Sequence, residues 1–192
     1  MATQTIPRLT EEEYLAQDRV NEFRSEFVDG EMLAMSGGSA RHSVLAADLI
    51  LTLGSKLADR DCFVFTADMR VRTADSGSYL YPDVSVLCGK PVFHQKKSDV
   101  LTNPSLIVEV LSPSTEDYDQ SRKWALYREI PSLKDYLMVD SRAHRLILYS
   151  RQPDNSWLFR EAIGLESSLT VPTLSITLNL AEIYATWMRL PA

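Results

Sequence analysis

The stretch Leu106-Ile107-Val108-Glu109-Val110-Leu111 constrains the fold more than any other part of the chain. It is an apolar run of strand length, bounded by Pro104 and Pro113. A run of this kind reads as a strand covered on both faces, which requires layers above and below its sheet. Side chains of an extended chain alternate between faces, so Glu109 shares its face with Ile107 and Leu111. A carboxylate there is costly to desolvate unless a basic side chain or a metal compensates it. From this strand alone, a structural salt bridge and a functional carboxylate are equally compatible.

The rest of the pattern supplies the layers. Thr10 with Glu13 is a capping-box pair that starts a helix reaching about Asp18. Residues 23–35 read as a strand or a hairpin around the turn dipeptide Asp29-Gly30. From Ala40 to Ala58, Leu45, Leu49, Leu53 and Leu57 recur at helical spacing. Strands are predicted over 62–73, 81–88 and 105–112, and a helix over 117–129 with Trp124 and Tyr127 near its core face. Further strands follow over 135–140, 145–151 and 157–163, and Asn179 with Glu182 caps a last helix to about Met188. This order predicts an α/β fold, a central mixed sheet flanked by helices, as a single domain over 1–192. A hydrophobic content of 45% and a charged content of 24% fit a globular chain and exclude a disordered one.

The net charge of −6 argues against a dedicated duplex-DNA binder and leaves room for an enzyme that touches DNA briefly. Cys62 and Cys88 show neither zinc-site spacing nor a disulfide framework and are read as reduced core cysteines. The first fifteen residues carry no signal pattern, and no apolar run approaches membrane-spanning length. The expectation is a cytoplasmic protein without membrane contact.

Asp83 follows Pro82 and opens a strand. A Pro-Asp pair is also ordinary turn chemistry. Here, though, the aspartate can face Glu109 on a neighbouring strand, and two adjacent carboxylates repel unless a cation lies between them. An oxygen pair of this kind suits Mg²⁺ or Mn²⁺. Lys123 lies about two turns into the helix after Pro113 and can return toward the same strand. Asp119 and Tyr127, four residues either side, share its helix face. Alone, Lys123 would read as a solvated partner of Asp119.

Taken together, Tyr81-Pro82-Asp83-Val84-Ser85-Val86, Val108-Glu109-Val110-Leu111-Ser112-Pro113-Ser114 and Lys123 with Tyr127 resemble the Uma family of restriction-endonuclease-like proteins, within the PD-(D/E)XK nuclease superfamily. The resemblance extends to Glu26-Phe27-Val28-Asp29-Gly30-Glu31, to His42, to Asp135 through Asp140 and to the segment from Leu174 to Tyr184. It implies a restriction endonuclease-like fold in which Asp83 and Glu109 bind Mg²⁺ or Mn²⁺, with the Val110 carbonyl as a further ligand and Lys123 organising the attacking water. It adds Glu31 as a further acid, the alternative being a surface strand glutamate, and His42 as proton donor or phosphate contact, the alternative being a local hydrogen-bonding residue of a helix's first turn. One departure stands out: the superfamily places the lysine two residues after the acid, where this chain has Leu111, so Lys123 is taken as its spatial replacement.

The implied activity is metal-dependent endonucleolytic hydrolysis of DNA phosphodiester bonds. A homodimer would suit cutting both strands. Lys90, Lys96, Lys97, Arg122 and Arg128 could contact phosphates, and Ser112 and Ser114 read by default as helix caps. Two other classes compete. One is a non-catalytic nucleic-acid-binding or regulatory module that retains the nuclease fold. The other is a metal-dependent hydrolase of small phosphoesters.

Overall fold

The computed structural model describes residues 8–191 apart from Ser36, Lys97 and Ser114, with Lys96 described in its backbone alone. Helix α1 (Glu11–Asp18) starts on the expected capping box: Thr10 accepts from the Glu13 N–H, and Glu13 accepts from that of Thr10. The hairpin β1 (Ser25–Val28) and β2 (Glu31–Ala34) turns at Asp29 and Gly30, both at positive φ. Helix α2 (Ala40–Lys56) follows, capped by Ser39.

The single strand expected over 62–73 is two strands, β3 (Cys62–Thr66) and β4 (Arg70–Arg72). The Thr66 carbonyl accepts from the Met69 N–H, closing a turn that sends β4 into a different sheet. After β5 (Tyr79–Leu80) come β6 (Val84–Cys88), β7 (Val100–Leu101) and β8 (Leu106–Leu111). The expected helix over 117–129 is α3 (Glu116–Tyr118), a π turn (Asp119–Lys123) and α4 (Trp124–Tyr127) in succession. Strands β9 (Asp135–Asp140), β10 (Arg145–Arg151) and β11 (Trp157–Ile163) fall where expected, followed by β12 (Ser168–Val171), β13 (Ile176–Asn179) and α5 (Leu180–Ile183). The last helix is shorter than the pattern suggested: it ends at Ile183, a separate 3₁₀ turn forms at Trp187–Arg189, and the Asn179 side chain makes no capping bond.

The central layer is a six-stranded mixed sheet in the order β11-β10-β9-β8-β6-β3, with β8 and β9 parallel and the other pairs antiparallel. A second mixed sheet, β2-β1-β5-β4-β7, was not separated by the sequence pattern. The alternation of β8 holds throughout. Leu106, Val108 and Val110 join Leu45, Leu49 and Leu53 of α2 in one core. Ile107 and Leu111 join Leu126 and Tyr127 in the core on the opposite face. Glu109, 2% exposed, lies on that second face, at the level of the helix that carries Lys123.

The cysteines correct the expectation. Cys62 and Cys88 form a disulfide. They stand opposite each other in the β3–β6 register, and neither is buried in the core. Their separation of 26 residues held no signal in the linear sequence; strand pairing alone makes them neighbours. Among the described residues no helix is long and apolar enough to cross a membrane.

Candidate active site

Strand β8 ends where the site begins. The antiparallel register of β6 and β8 closes at Val84 opposite Val108, so the next position sets Asp83 against Glu109. Asp83 takes up a backbone donor that the ladder no longer uses: the Val110 N–H donates to its Oδ2 at 2.7 Å. The same oxygen lies 3.2 Å from His42 Nε2, in the first turn of α2. That hydrogen bond raises the His42 pKa above its ordinary value, with burial opposing it.

Lys123 approaches from the other side. Its side chain is 9% exposed, and Nζ donates to Glu109 Oε1 at 3.0 Å. Glu26 Oε1 is 3.2 Å from Nζ and Asp119 Oδ1 is 3.4 Å from it. The Tyr127 hydroxyl donates to Glu109 Oε1 at 2.7 Å. The π turn carries both Asp119 and Lys123, and local widening of a helix of this kind is frequent at functional sites. The Tyr136 hydroxyl bonds the Asp119 carbonyl within the turn.

Glu26, His42, Asp83, Glu109, Asp119 and Lys123 line one cleft of 760 Å³, with Val110 among its other walls. The structure therefore brings Asp83, Glu109, Lys123, His42 and Val110 together. Glu31 is not brought in. It is exposed beside the hairpin turn, opposite Val28, and is absent from the cleft lining. Glu26 of the partner strand lines the cleft instead. The sequence held a signal for it, since Glu26 sits inside the apolar part of its strand as Glu109 does, whereas Glu31 adjoins the turn. Asp119 was legible as a neighbour of Lys123, but not as a buried acid of the cleft.

Two hydrogen-bond donors fix Glu26. The Tyr81 N–H reaches Oε1 at 3.2 Å, and the Tyr118 hydroxyl reaches Oε2 at 3.1 Å. The N-cap of α3 is Thr115, without a side-chain capping bond, so Ser112 is not the cap expected; its carbonyl accepts from the Glu116 N–H at 2.9 Å and its hydroxyl lies 3.0 Å from that of Thr115. Ser114, Lys97 and the Lys96 side chain lie outside the described residues. Lys90, Arg122 and Arg128 do not line the cleft, and Arg122 pairs with Asp29 at 2.8 Å.

Acids outnumber bases in this cleft. Burial, with Asp119, Asp83 and Glu26 adding to it, pushes the Glu109 carboxyl well above the usual carboxylate range, and Lys123 opposes the rise. Burial raises Asp119 too. Lys123 stays protonated because Glu109, Glu26 and Asp119 together outweigh the effect of its burial. Among the described residues no group of three or more His, Cys, Asp or Glu side chains stands in position to hold a metal ion. Asp83 and Glu109 form a pair, and Mg²⁺ is commonly held by one or two carboxylates with waters and substrate phosphate completing the shell. All-oxygen donors and surplus negative charge fit a hard divalent cation.

Helices on a central mixed sheet, with this cleft at the β6 and β8 ends, define a restriction-endonuclease-like protein. A solved structure described as a "putative nuclease belonging to DUF820", from Anabaena variabilis, has the same fold. Its TM-score is 0.75 at 15% identity, covering 92% of this chain and 98% of that one. The Uma2 family model, described as "Putative restriction endonuclease", matches residues 11–181. The uncharacterized proteins sll1609 and slr1290 of Synechocystis sp. are each 37% identical over 176 residues. These matches cover 92% of this chain and 99% and 90% of their own lengths. The chain belongs to the Uma2 family.

Proposed function

We propose that this protein is a Mg²⁺- or Mn²⁺-dependent endonuclease that hydrolyses phosphodiester bonds of DNA. The observation that carries the reading is the meeting of Asp83, Glu109 and Lys123, from three separate elements, in one cleft with surplus negative charge. Nuclease descriptions of the family and of the structural neighbour support it.

The cation would be held by Asp83 and Glu109, with the Val110 carbonyl as a further ligand; it supplies Lewis acidity toward the phosphate and an acidified water. The protein's own groups do the rest. Lys123 keeps a fixed positive charge beside the carboxylates, where negative charge grows on the phosphate during attack. It also orients the attacking water. His42, whose protonated form the hydrogen bond to Asp83 favours, gives a proton donor or a phosphate contact at the cleft wall. Tyr127 holds Glu109 in place. An acidic cleft repels a polyanion, which is the electrostatic reason for a cation requirement.

The test is cleavage of plasmid, linear, single-stranded and branched DNA, with RNA and a small phosphoester as controls, in Mg²⁺, Mn²⁺ or chelator. Cleavage of DNA that needs the cation and is lost in folded Asp83→Asn and Glu109→Gln is expected. Unchanged activity in both variants, or turnover of the small phosphoester alone, overturns the reading.

A further inference from the structure

Lys123 Nζ has three carboxylate neighbours at unequal distances, 3.0 Å for Glu109, 3.2 Å for Glu26 and 3.4 Å for Asp119. An ammonium carries three donors. Even so, Asp119 Oδ1 is enclosed and makes no hydrogen bond among the described residues, although its side chain is only 3% exposed. Its contact with Lys123 is the longest of the three, an ion pair without hydrogen-bond geometry. Glu109 Oε1 is used twice, by Lys123 and by Tyr127. Glu26 is held by Tyr81 and Tyr118 independently of the lysine. Asp119 and Lys123 share one π turn, so they stay together whatever binds at Glu109.

We infer that Asp119 is a positioning residue which, with Glu26, forms a second seat for the Lys123 ammonium when a divalent cation takes Glu109. The inference rests on the metal-dependent reading above. The Lys123 ammonium is bonded to Glu109, so with a cation held there the two positive charges would repel. Nζ can leave Oε1 of Glu109 by a small rotation of its flexible stem. It then bonds Asp119 Oδ1 and keeps its contact with Glu26. The positive charge stays in the cleft, paired and facing the phosphate, instead of being expelled to solvent. In this arrangement the Asp119 contact, the longest of the three at 3.4 Å, becomes a close one in the loaded state.

A double-mutant cycle tests this, with calorimetric Mn²⁺ titration as the readout and circular dichroism confirming the fold. The proteins are the unsubstituted chain, Asp119→Asn, Lys123→Met and the pair. Asp119→Asn should weaken Mn²⁺ binding about tenfold in the chain that has Lys123 and hardly at all in Lys123→Met. Equal weakening in both backgrounds would mean that Asp119 acts on the cation directly, and no weakening would mean that it has no part; either overturns the inference and leaves the proposed function standing. An unsubstituted chain that binds no Mn²⁺ overturns both. If Lys123→Met does not fold, ¹⁵N spectra of the unsubstituted protein decide. On adding Mg²⁺ the Lys123 Nζ resonance should change in the original chain and not in Asp119→Asn, and an unchanged resonance in the original chain overturns the inference.

Discussion

Oε1 of Glu109 accepts two hydrogen bonds, from Lys123 Nζ at 3.0 Å and from the Tyr127 hydroxyl at 2.7 Å. One comes from the π turn and one from α4, so a single carboxylate oxygen fastens this helical stretch to the central sheet. Tyr127→Phe removes one bond to a buried acid without opening a large cavity. Hydrogen bonds to charged groups contribute about 1.5–3 kcal/mol. Urea unfolding should show a loss in that range, with the same dependence on denaturant as the original protein.

Lys123→Ala should cost far more. An exposed Lys123–Asp119 pair would be worth about 0.3–0.5 kcal/mol. The lysine is instead enclosed among three acids, and removing one partner of a buried ion pair typically costs about 3–5 kcal/mol. In single-turnover cleavage the folded fraction should lose rate, while Mn²⁺ affinity holds or tightens, because Lys123 is not a ligand and its charge opposes the cation. A stability loss below 1 kcal/mol, by the same unfolding measurement, would contradict its enclosure.

Gly38 sets the position of His42. A Cβ there would lie 2.7 Å from His42 Nδ1 and 3.0 Å from Cγ. The ring is the movable partner, so Gly38→Ala should turn His42 away from Asp83 with little change in stability. An NMR titration of the His42 ring should then return its pKa toward the ordinary value of 6.5. A titration unchanged by the substitution would show that the ring does not depend on this glycine.

The Cys62–Cys88 disulfide closes a loop of 26 residues on the edge strand β3. Constraint of the unfolded chain by a loop of this size stabilises by about 3.5 kcal/mol. Thiol titration of the denatured, unreduced protein should find no free cysteine. Melting with a reductant present should lower the transition, and Cys62→Ser should lower it without reductant.

Much of this was readable before the fold was known, and the gaps have physical causes. The run around Glu109 announced a strand covered on both faces, because only burial explains six nearly uninterrupted apolar positions. The leucines of α2 and the Asp29-Gly30 turn were equally plain, since period and turn chemistry are local. What was missed depends on pairing between distant segments. The register of β3 against β6 joins the cysteines. The hairpin register decides that Glu26 enters the cleft while Glu31 stays beside the turn. The π turn is invisible to helical periodicity, which places Lys123 and Asp119 on one face without indicating that this face is buried.

His42 makes stability depend on pH. Its hydrogen bond to Asp83 raises the folded-state pKa above the ordinary 6.5 of the unfolded chain, so the folded state binds the proton more tightly. The stabilisation is therefore fully present below about pH 6.5 and fades as pH rises through the folded value. His42→Gln keeps a polar side chain but cannot carry the charge. Its deficit against the original protein should be about 1 kcal/mol at pH 5.5, modest because the pair is partly solvated. Above the folded-state pKa the deficit should shrink toward zero. Urea unfolding of both proteins at half-unit steps from pH 5.5 to 9 measures it. A deficit that grows with pH would mean that the ring is held neutral, and it would remove His42 as a cationic phosphate contact.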